Sequence, residues 1–476
     1  MENRNIQKEM FEQLQSKELF EVAKKFAYEY IDTVDNRGIY PTRSSIEDLR
    51  RFDEPLPERT GDANEIVTML GIYGSPATVA QNGKRYLGFV NGAANPVSLA
   101  TKWLTDVWDQ NAALYVMSPV TACLEEVCQK WLIKLFDVTD ECIAGFVTGT
   151  SVATLCALVT ARNSLLKKVG WDVAAKGLFS APRLRVVAGE KAHASVFKAL
   201  TFSGFGSDDV TLVETDQQGR IIPEKMPPLD PQTILILQAG NVNTGSFDFI
   251  EELCSIAGKA GAWVHIDGAF GLWARCSTKK RYLVSGMEQA DSWSVDTHKT
   301  LNAPYECGIL LCKDRNGFID AMKATGPYIH YHEMRDGMMF TPEMSRRARA
   351  VELWATLKYY GRSGIEQLVD GLCAMAVAIA EGLKENGFRI LNDVVFNQVL
   401  VAGDNDQVTE NILSQVQKSN RCWCGGSIWN GERVIRISVC SWKTDDTDVA
   451  NIVDEFKIAR MRSERDDNDT CGDYGA

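Results

Sequence analysis

Near the start of the chain Phe11, Leu14, Leu19, Phe20, Val22, Ala23, Phe26 and Ala27 recur at spacings of three and four, with charged residues between them. That period puts the apolar side chains on one face of a helix, so an amphipathic helix is expected from about Met1 to Asp32. The stretch that follows mixes proline, glycine and charge, as in Glu54-Pro55-Leu56-Pro57, and predicts extended chain lying on a larger body. Residues 1–86 are therefore read as an N-terminal arm.

From about Leu87 the pattern changes. The small-residue loop Gly92-Ala93-Ala94-Asn95-Pro96 leads into a helical pattern through Leu99, Trp103, Leu104, Val107 and Trp108, and Ser118-Pro119 opens another through Leu124, Val127 and Trp131. Short continuous apolar runs then alternate with helical stretches. The runs are Ile143 to Val147, Leu184 to Ala188, Val210 to Val213, Thr233 to Leu237, Ala262 to Ile266 and Cys307 to Cys312. Strands apolar on both faces and separated by helices imply an α/β unit with a mainly parallel sheet covered on both sides. Ligands of such sheets sit beyond the carboxyl ends of the strands. This large unit is expected over 87–339. A long helical pattern through Ala350, Leu353, Trp354, Leu357 and Tyr360, with alternating segments at Asn397 to Val401 and Val434 to Val439, predicts a small α+β domain over 340–463. The acidic stretch 464–476 reads as a disordered tail.

Composition narrows the class of partner. At 476 residues the chain exceeds one compact domain. Its net charge of −12, with no long basic stripe, argues against nucleic acid or an anionic membrane surface as the main partner. The thirteen cysteines are scattered. Cys422-Trp423-Cys424 lacks the two-residue gap of zinc or thioredoxin sites, so reduced thiols and no metal are expected. Glu2, Arg4, Lys8 and Glu9 leave no apolar signal core at the N-terminus, and no apolar run approaches the ~18 residues of a spanning helix. A cytoplasmic protein is expected.

The densest chemistry lies in Ser294-Val295-Asp296-Thr297-His298-Lys299-Thr300-Leu301-Asn302, downstream of the run Ala262-Trp263-Val264-His265-Ile266-Asp267. A lysine amine can bind the aldehyde of pyridoxal phosphate as a Schiff base. A carboxylate against the pyridine nitrogen keeps the ring protonated and able to absorb electrons. The pair Asp267 and His298-Lys299, with Asn302-Ala303-Pro304-Tyr305-Glu306-Cys307-Gly308 after it, resembles the group II pyridoxal-phosphate-dependent amino-acid decarboxylases, the family of aromatic-L-amino-acid and glutamate decarboxylases. The resemblance covers roughly residues 60 to 455. It implies the fold type I architecture of aminotransferase-like enzymes and an obligate homodimer, with the N-terminal arm packed on the partner. It also implies decarboxylation of an L-amino acid to its amine and carbon dioxide.

Carried over residue by residue, the resemblance implies that Lys299, Asp267 and His193 are catalytic. Lys299 is then the Schiff-base lysine, Asp267 the partner of the pyridine nitrogen, and His193 the imidazole stacked on the ring. Ala269 is expected near the ring face. The loop Thr148-Gly149-Thr150-Ser151 precedes a helix whose free N–H groups suit a phosphate, although threonine and serine there serve equally as helix caps. The family's phosphate loop falls at this place, which implies Thr150 and Ser151 as its ligands, with His298 reaching the phosphate from the lysine loop. Asn243 and Thr244, in a turn where the family is threonine-rich, are weaker candidates for cofactor contact.

Arg436 interrupts an apolar strand, where a guanidinium wants an anion or a surface acid. In glutamate-type members an arginine in a similar strand binds the substrate carboxylate. Phe89, Trp103, Trp108 and Tyr115 lie where the family builds its side-chain pocket, which leans the expectation toward an aromatic substrate, with an acidic one as the alternative. The family's mobile-loop tyrosine does not align with this chain, where Tyr328 and Tyr331 come early. In some members loss of that tyrosine turns decarboxylation into aldehyde formation. Aldehyde synthesis and transamination therefore stay open as alternatives on the same fold.

Overall fold

The computed structural model describes residues 5–327, 331 and 333–471. The N-terminal amphipathic stretch forms two helices, α1 (Ile6–Ser16) and α2 (Glu18–Thr33), instead of one. Lys17 separates them with a left-handed φ of 59°, a conformation that ends a helix. The apolar face of this arm is left outside: Phe11, Leu14, Phe20, Tyr28 and Ile31 are all exposed.

The helices α3 (Pro96–Trp108) and α4 (Pro119–Phe136) lead into the large sheet. Its strands are β1 (Ile143–Val147), β2 (Arg185–Gly189), β3 (Val210–Val213), β4 (Thr233–Gln238), β5 (Trp263–Asp267), β6 (Ser292–Asp296) and β7 (Gly308–Cys312), in the spatial order β1-β7-β6-β5-β4-β2-β3. Only β7 runs antiparallel to its neighbours. The sheet is mainly parallel, as its apolar runs predicted, and β1, β4, β5, β6 and β7 are buried along their whole length.

One strand was not foreseen. Ser292-Trp293-Ser294-Val295-Asp296 alternates small polar and apolar residues, and its serines hydrogen-bond inward: the hydroxyl of Ser292 meets Nδ1 of His265, and that of Ser294 meets Thr154. A strand polar on one face can be buried on both when each hydroxyl finds a partner.

Helix α5 (Thr150–Lys168) follows β1, and α6 (Ala194–Phe202) follows β2. The carboxyl ends of β1, β2, β4, β5 and β6 all open on one edge of the sheet. The loop 297–307 between β6 and β7 crosses that same edge.

The small domain follows a long helix, α7 (Ala350–Glu385), kinked at Gly361. Sequence placed the domain boundary at 340, but the core changes hands inside this helix. Ala350, Leu353, Leu357 and Ile365 pack into the large-domain core, whereas Leu372, Ala376, Ile379 and Leu383 pack into the small one. The small sheet has the order β10 (Gly425–Trp429), β11 (Glu432–Ser438), β9 (Gln398–Ala402), β8 (Arg389–Ile390), antiparallel throughout. Helices α8 (Asp406–Ser419) and α9 (Asp446–Cys471) complete the domain. The acidic stretch expected to be disordered from 464 continues α9 as far as Cys471. The twelve described cysteines outside that stretch are unpaired, and all but Cys123 are buried.

Candidate active site

A cavity of about 380 Å³ opens at the carboxyl edge of the large sheet. Thr148, Gly149, Thr150 and Ser151 line it from the β1–α5 turn, His193 and Ser195 from the end of β2, Gln238, Gly240 and Val242 from β4, and Asp267, Ala269 and Phe270 from β5. Asp296, His298, Lys299, Tyr305 and Glu306 complete it from the end of β6 and the loop beyond. Chain order scatters these residues over about a third of the sequence, from Thr148 to Glu306. The parallel strands collect them because each presents its last residue at the same edge.

The lysine loop is held by Asn302. This residue is fully buried and has a φ of 57°. Its side-chain oxygen accepts from the backbone N–H of Ala93 at 2.9 Å and of Trp442 at 3.1 Å. Its amide donates to the carbonyls of Thr300 at 2.8 Å and Lys299 at 3.3 Å. One asparagine thus joins the lysine loop to the loop that precedes α3 and to the small domain. Gly92 closes the same junction: a Cβ there would lie 2.2 Å from the carbonyl oxygen of Lys299, so only glycine permits the approach.

Asp267 ends β5 inside the cavity, 6% exposed. It accepts one hydrogen bond, from the N–H of Ala269 at 3.2 Å. No cation lies within ion-pair distance of it among the described residues. Burial pushes its carboxyl above the usual range, and the nearby His193 and Lys299 oppose that rise. A buried carboxylate in this position calls for a cation.

His193 caps helix α6: its Nδ1 accepts from the backbone N–H of Ser195 at 3.2 Å, with the Ser195 hydroxyl 2.7 Å away. Accepting at Nδ1 leaves the proton of the neutral ring on Nε2. Surrounding protein lowers the imidazole pKa, so the neutral form prevails at neutral pH even though the ring is open to cavity water. His193 therefore offers the cavity a neutral N–H donor.

Lys299 reaches into the cavity with Nζ 3.1 Å from Oδ2 of Asp296, a residue to which sequence reading gave no role. Asp296 is buried and accepts from both the backbone N–H and the hydroxyl of Thr150, each at 2.7 Å. Burial alone would raise its pKa, but Lys299, His298 and Thr150 outweigh that and hold it below the usual carboxylate value. His298 has Nε2 3.6 Å from the same oxygen and stacks on Tyr305 at 4.3 Å between ring centroids.

The expected ligands divide accordingly. Lys299, Asp267, His193, Ala269, His298, Thr150 and Ser151 come together around the cavity. Thr150 departs from expectation, because both of its donors already serve Asp296. Asn243 and Thr244 do not line the cavity. The Thr244 hydroxyl donates to the carbonyl of Gln218 and to Ser246, and its carbonyl accepts from Asn392. Asn243 accepts from Ser427 at 2.9 Å. Both residues tie the two domains together, beside Gly245, whose φ is +70° and where a Cβ would lie 3.1 Å from Gln398. Gln238 and Val242 take the cavity positions near that turn.

Phe89, Trp103, Trp108 and Tyr115 are also absent from the cavity wall. Phe89 stacks on Trp423, and Trp103 on Tyr28. Arg436 lies outside the lining, in the electrostatic neighbourhood of His193 and 5.9 Å from the Phe89 ring centre. Tyr331 donates to the carbonyl of Ala324, away from the cavity, and Tyr328 lies outside the described residues.

The donor set can be tested against the cofactor it implies. A buried carboxylate lacking a cation suits a protonated pyridine nitrogen, and an imidazole and an amine share its cavity. Small-residue backbone at a helix start suits a phosphate. The residues fit pyridoxal phosphate.

Known proteins bear on the same conclusion. The chain is 28% identical over 374 residues to the mouse (Mus musculus) acidic amino acid decarboxylase GADL1, covering 74% of this chain and 66% of that protein, just short of two thirds of its length. It is 24% identical over 453 residues to tyrosine decarboxylase 2 of Arabidopsis thaliana, covering 88% and 82%. The solved structure of Oryza sativa TDC with PLP and tryptamine superposes with a TM-score of 0.86 at 18% identity, over 97% of this chain and 99% of that one, which shows the fold type I architecture. The pyridoxal-dependent decarboxylase conserved domain matches residues 77–401. With that span enclosing Lys299, Asp267, His193 and the turn at Thr150, the chain belongs to the pyridoxal-dependent decarboxylase family.

Proposed function

We propose that this protein removes the α-carboxylate of an acidic L-amino acid as carbon dioxide and releases the amine. The observation that carries the acidic side chain is Arg436. Its guanidinium is half-buried, and among the described residues it makes no hydrogen bond or ion pair. Burial lowers its pKa, the mark of a charge short of solvent and of a counter-ion. A substrate carboxylate would supply that counter-ion in fork geometry. The aromatic reading has less support, since Phe89, Trp103, Trp108 and Tyr115 do not line the cavity and Phe89 and Trp103 stack on Trp423 and Tyr28.

Bound pyridoxal phosphate supplies an electron sink for the pair left behind when the bond to the carboxylate breaks. The chain does the rest. Lys299 carries the amine that holds the cofactor and can move a proton at Nζ. Asp267 contributes a buried negative charge to favour a protonated ring nitrogen. His193, fixed as the Nε2–H tautomer by Ser195, donates to an anionic group without itself being charged. Tyr305 and Val242 line the cavity from the loops beyond β6 and β4.

A second reading, aldehyde formation, is favoured by one observation: among the described tyrosines only Tyr305 lines the cavity. Carbon dioxide with amine, against carbon dioxide with aldehyde, ammonia and peroxide, separates the two. The protein is further proposed to work as a cytoplasmic homodimer, supported by the uncovered apolar face of α1 and α2.

The experiment is carbon dioxide release from L-glutamate, L-aspartate and cysteine sulfinate against L-tyrosine and L-tryptophan, with wild type and Arg436→Ala. An acidic substrate should be preferred, and the variant should lose about a hundredfold in kcat/KM for it. That loss corresponds to the ~1.5–3 kcal/mol of a charge-assisted hydrogen bond. Preference for an aromatic substrate, or an unchanged rate in the variant, would refute the assignment.

A further inference from the structure

We propose that Asp296 is a resident anion at the phosphate end of the cavity. It holds the donors of Thr150 and the amine of Lys299. A phosphate group arriving there must share them, drawing a proton into the Asp296–His298 pair. The inference rests on the reading of this cavity as a pyridoxal-phosphate site and concerns how that site is filled.

The first support is geometric. The start of a helix gathers unpaired N–H groups and positive potential, and is where an anion binds. At the start of α5 a carboxylate is already there. Oδ1 of Asp296 takes the Thr150 N–H, and Oδ2 takes the Thr150 hydroxyl and lies 3.1 Å from Lys299 Nζ. The Asp296 side chain is 3% exposed, so water screens little of its field.

The second support is the charge balance. Lys299 and His298 face Asp296 from its own loop, and Thr150 faces it from α5. Asp267 and His193 lie within electrostatic reach from the ends of β5 and β2, and Tyr305, Glu306 and Cys307 from the far end of the lysine loop. Asp296 and Asp267, with Glu306 beside His298 and ion-paired to Arg349, thus face the one ammonium of Lys299, while burial keeps both imidazoles neutral. Adding a phosphate dianion makes the excess of negative charge larger in a site that screens poorly. The nearest relief is a proton on His298, whose Nε2 is 3.6 Å from Asp296 Oδ2, because that proton is shared between imidazole and carboxylate. Affinity for the phosphate end therefore falls as pH rises, and removing the resident charge strengthens it.

Pyridoxine 5′-phosphate is the probe, since it carries ring and phosphate but no aldehyde and leaves Lys299 a free amine. The full-length chain, freed of cofactor, is titrated calorimetrically at pH 8 in two buffers of different ionisation enthalpy. Wild type should take up about one proton per ligand. Asp296→Asn should take up less than half as many and bind at least tenfold more tightly. Equal proton uptake in the two proteins, or weaker binding by the variant, would overturn the proposal and leave Asp296 a helix cap. If the variant does not fold, wild type alone decides: its Kd should rise about tenfold per pH unit between about pH 7 and 9, and a flat profile overturns the proposal. Absence of binding by a folded wild type at any pH would overturn the cofactor reading itself, and this inference with it.

Discussion

Replacing Asn302 tests the claim that one buried side chain sets the lysine loop. The residue makes four side-chain hydrogen bonds, to Ala93, Trp442, Thr300 and Lys299. Asn302→Gly removes all four but keeps the left-handed backbone free of strain. Each lost bond costs about 1 kcal/mol net, and the Ala93 N–H is left in a buried position where an unmet donor costs a further ~1–3 kcal/mol. The Lys299 carbonyl is partly spared, because it also accepts the backbone N–H of Asn302. The sum is about 4–6 kcal/mol. Asn302→Ala adds roughly 1 kcal/mol, since alanine resists the φ of 57°. Asn302→Asp keeps both acceptor contacts and should fall between wild type and glycine.

Urea unfolding of the cofactor-free proteins, followed by tryptophan fluorescence at one protein concentration, gives the order wild type, Asp, Gly, Ala. Losses below about 1 kcal/mol in both Gly and Ala variants would refute the reasoning. So would an alanine variant more stable than the glycine one, because that would mean the backbone strain argument has the wrong sign.

Two other outcomes follow from buried charge. His265 is fully buried between Ser292 and Ser294, and its pKa is pushed down to about 3 by desolvation. Neutral in the folded chain and protonated in the unfolded one, it contributes stability that is complete above about pH 6.5 and is lost as pH falls toward 3. The unfolding midpoint of wild type should fall by the equivalent of about 1.4 kcal/mol per pH unit more steeply than that of His265→Asn in this window; parallel pH profiles would count against it. At Arg436, lysine should restore only part of the acidic-substrate rate lost in Arg436→Ala, because an ammonium lacks the planar fork; full rescue by Arg436→Lys would argue for a simple point charge.

Much of the site was legible because its residues follow apolar runs, and the ends of parallel strands converge. Asp267 after Ala262 to Ile266 and His193 after Leu184 to Ala188 took their place from that rule and their expected roles from the family resemblance. The Thr150 turn after Ile143 to Val147 did so as well, and the lysine loop carried its own motif. Asp296 was missed because β6 was. Its serines broke the apolar run, and nothing in the sequence reveals that their hydroxyls are satisfied by His265 and Thr154. Thr244 and Asn243 were misplaced for the opposite reason. They follow a correctly read strand, but their side chains turn to the small domain, a contact between residues far apart in the chain.

The aromatic residues were read by position along the chain, whereas packing sends Phe89 to Trp423 and Trp103 to Tyr28. Arg436 was singled out as a charge in an apolar strand, and it does lie within β11. Only the folded chain shows that, among the described residues, it has no hydrogen-bond or ion-pair partner. The domain boundary was set before α7 because a change in pattern marks a new element, and the helix itself is shared by two cores.

The most direct test of the account is the absorbance spectrum of the purified protein, before and after borohydride, alongside Lys299→Ala. A lysine-bound pyridoxal phosphate absorbs near about 420 nm through the bond between amine and cofactor. The account predicts that band in wild type, its bleaching on reduction with the cofactor fixed to the peptide containing Lys299, and its loss or displacement in the variant. A wild-type protein that shows no such band after incubation with pyridoxal phosphate, or a variant that keeps it unchanged, would contradict the central claim.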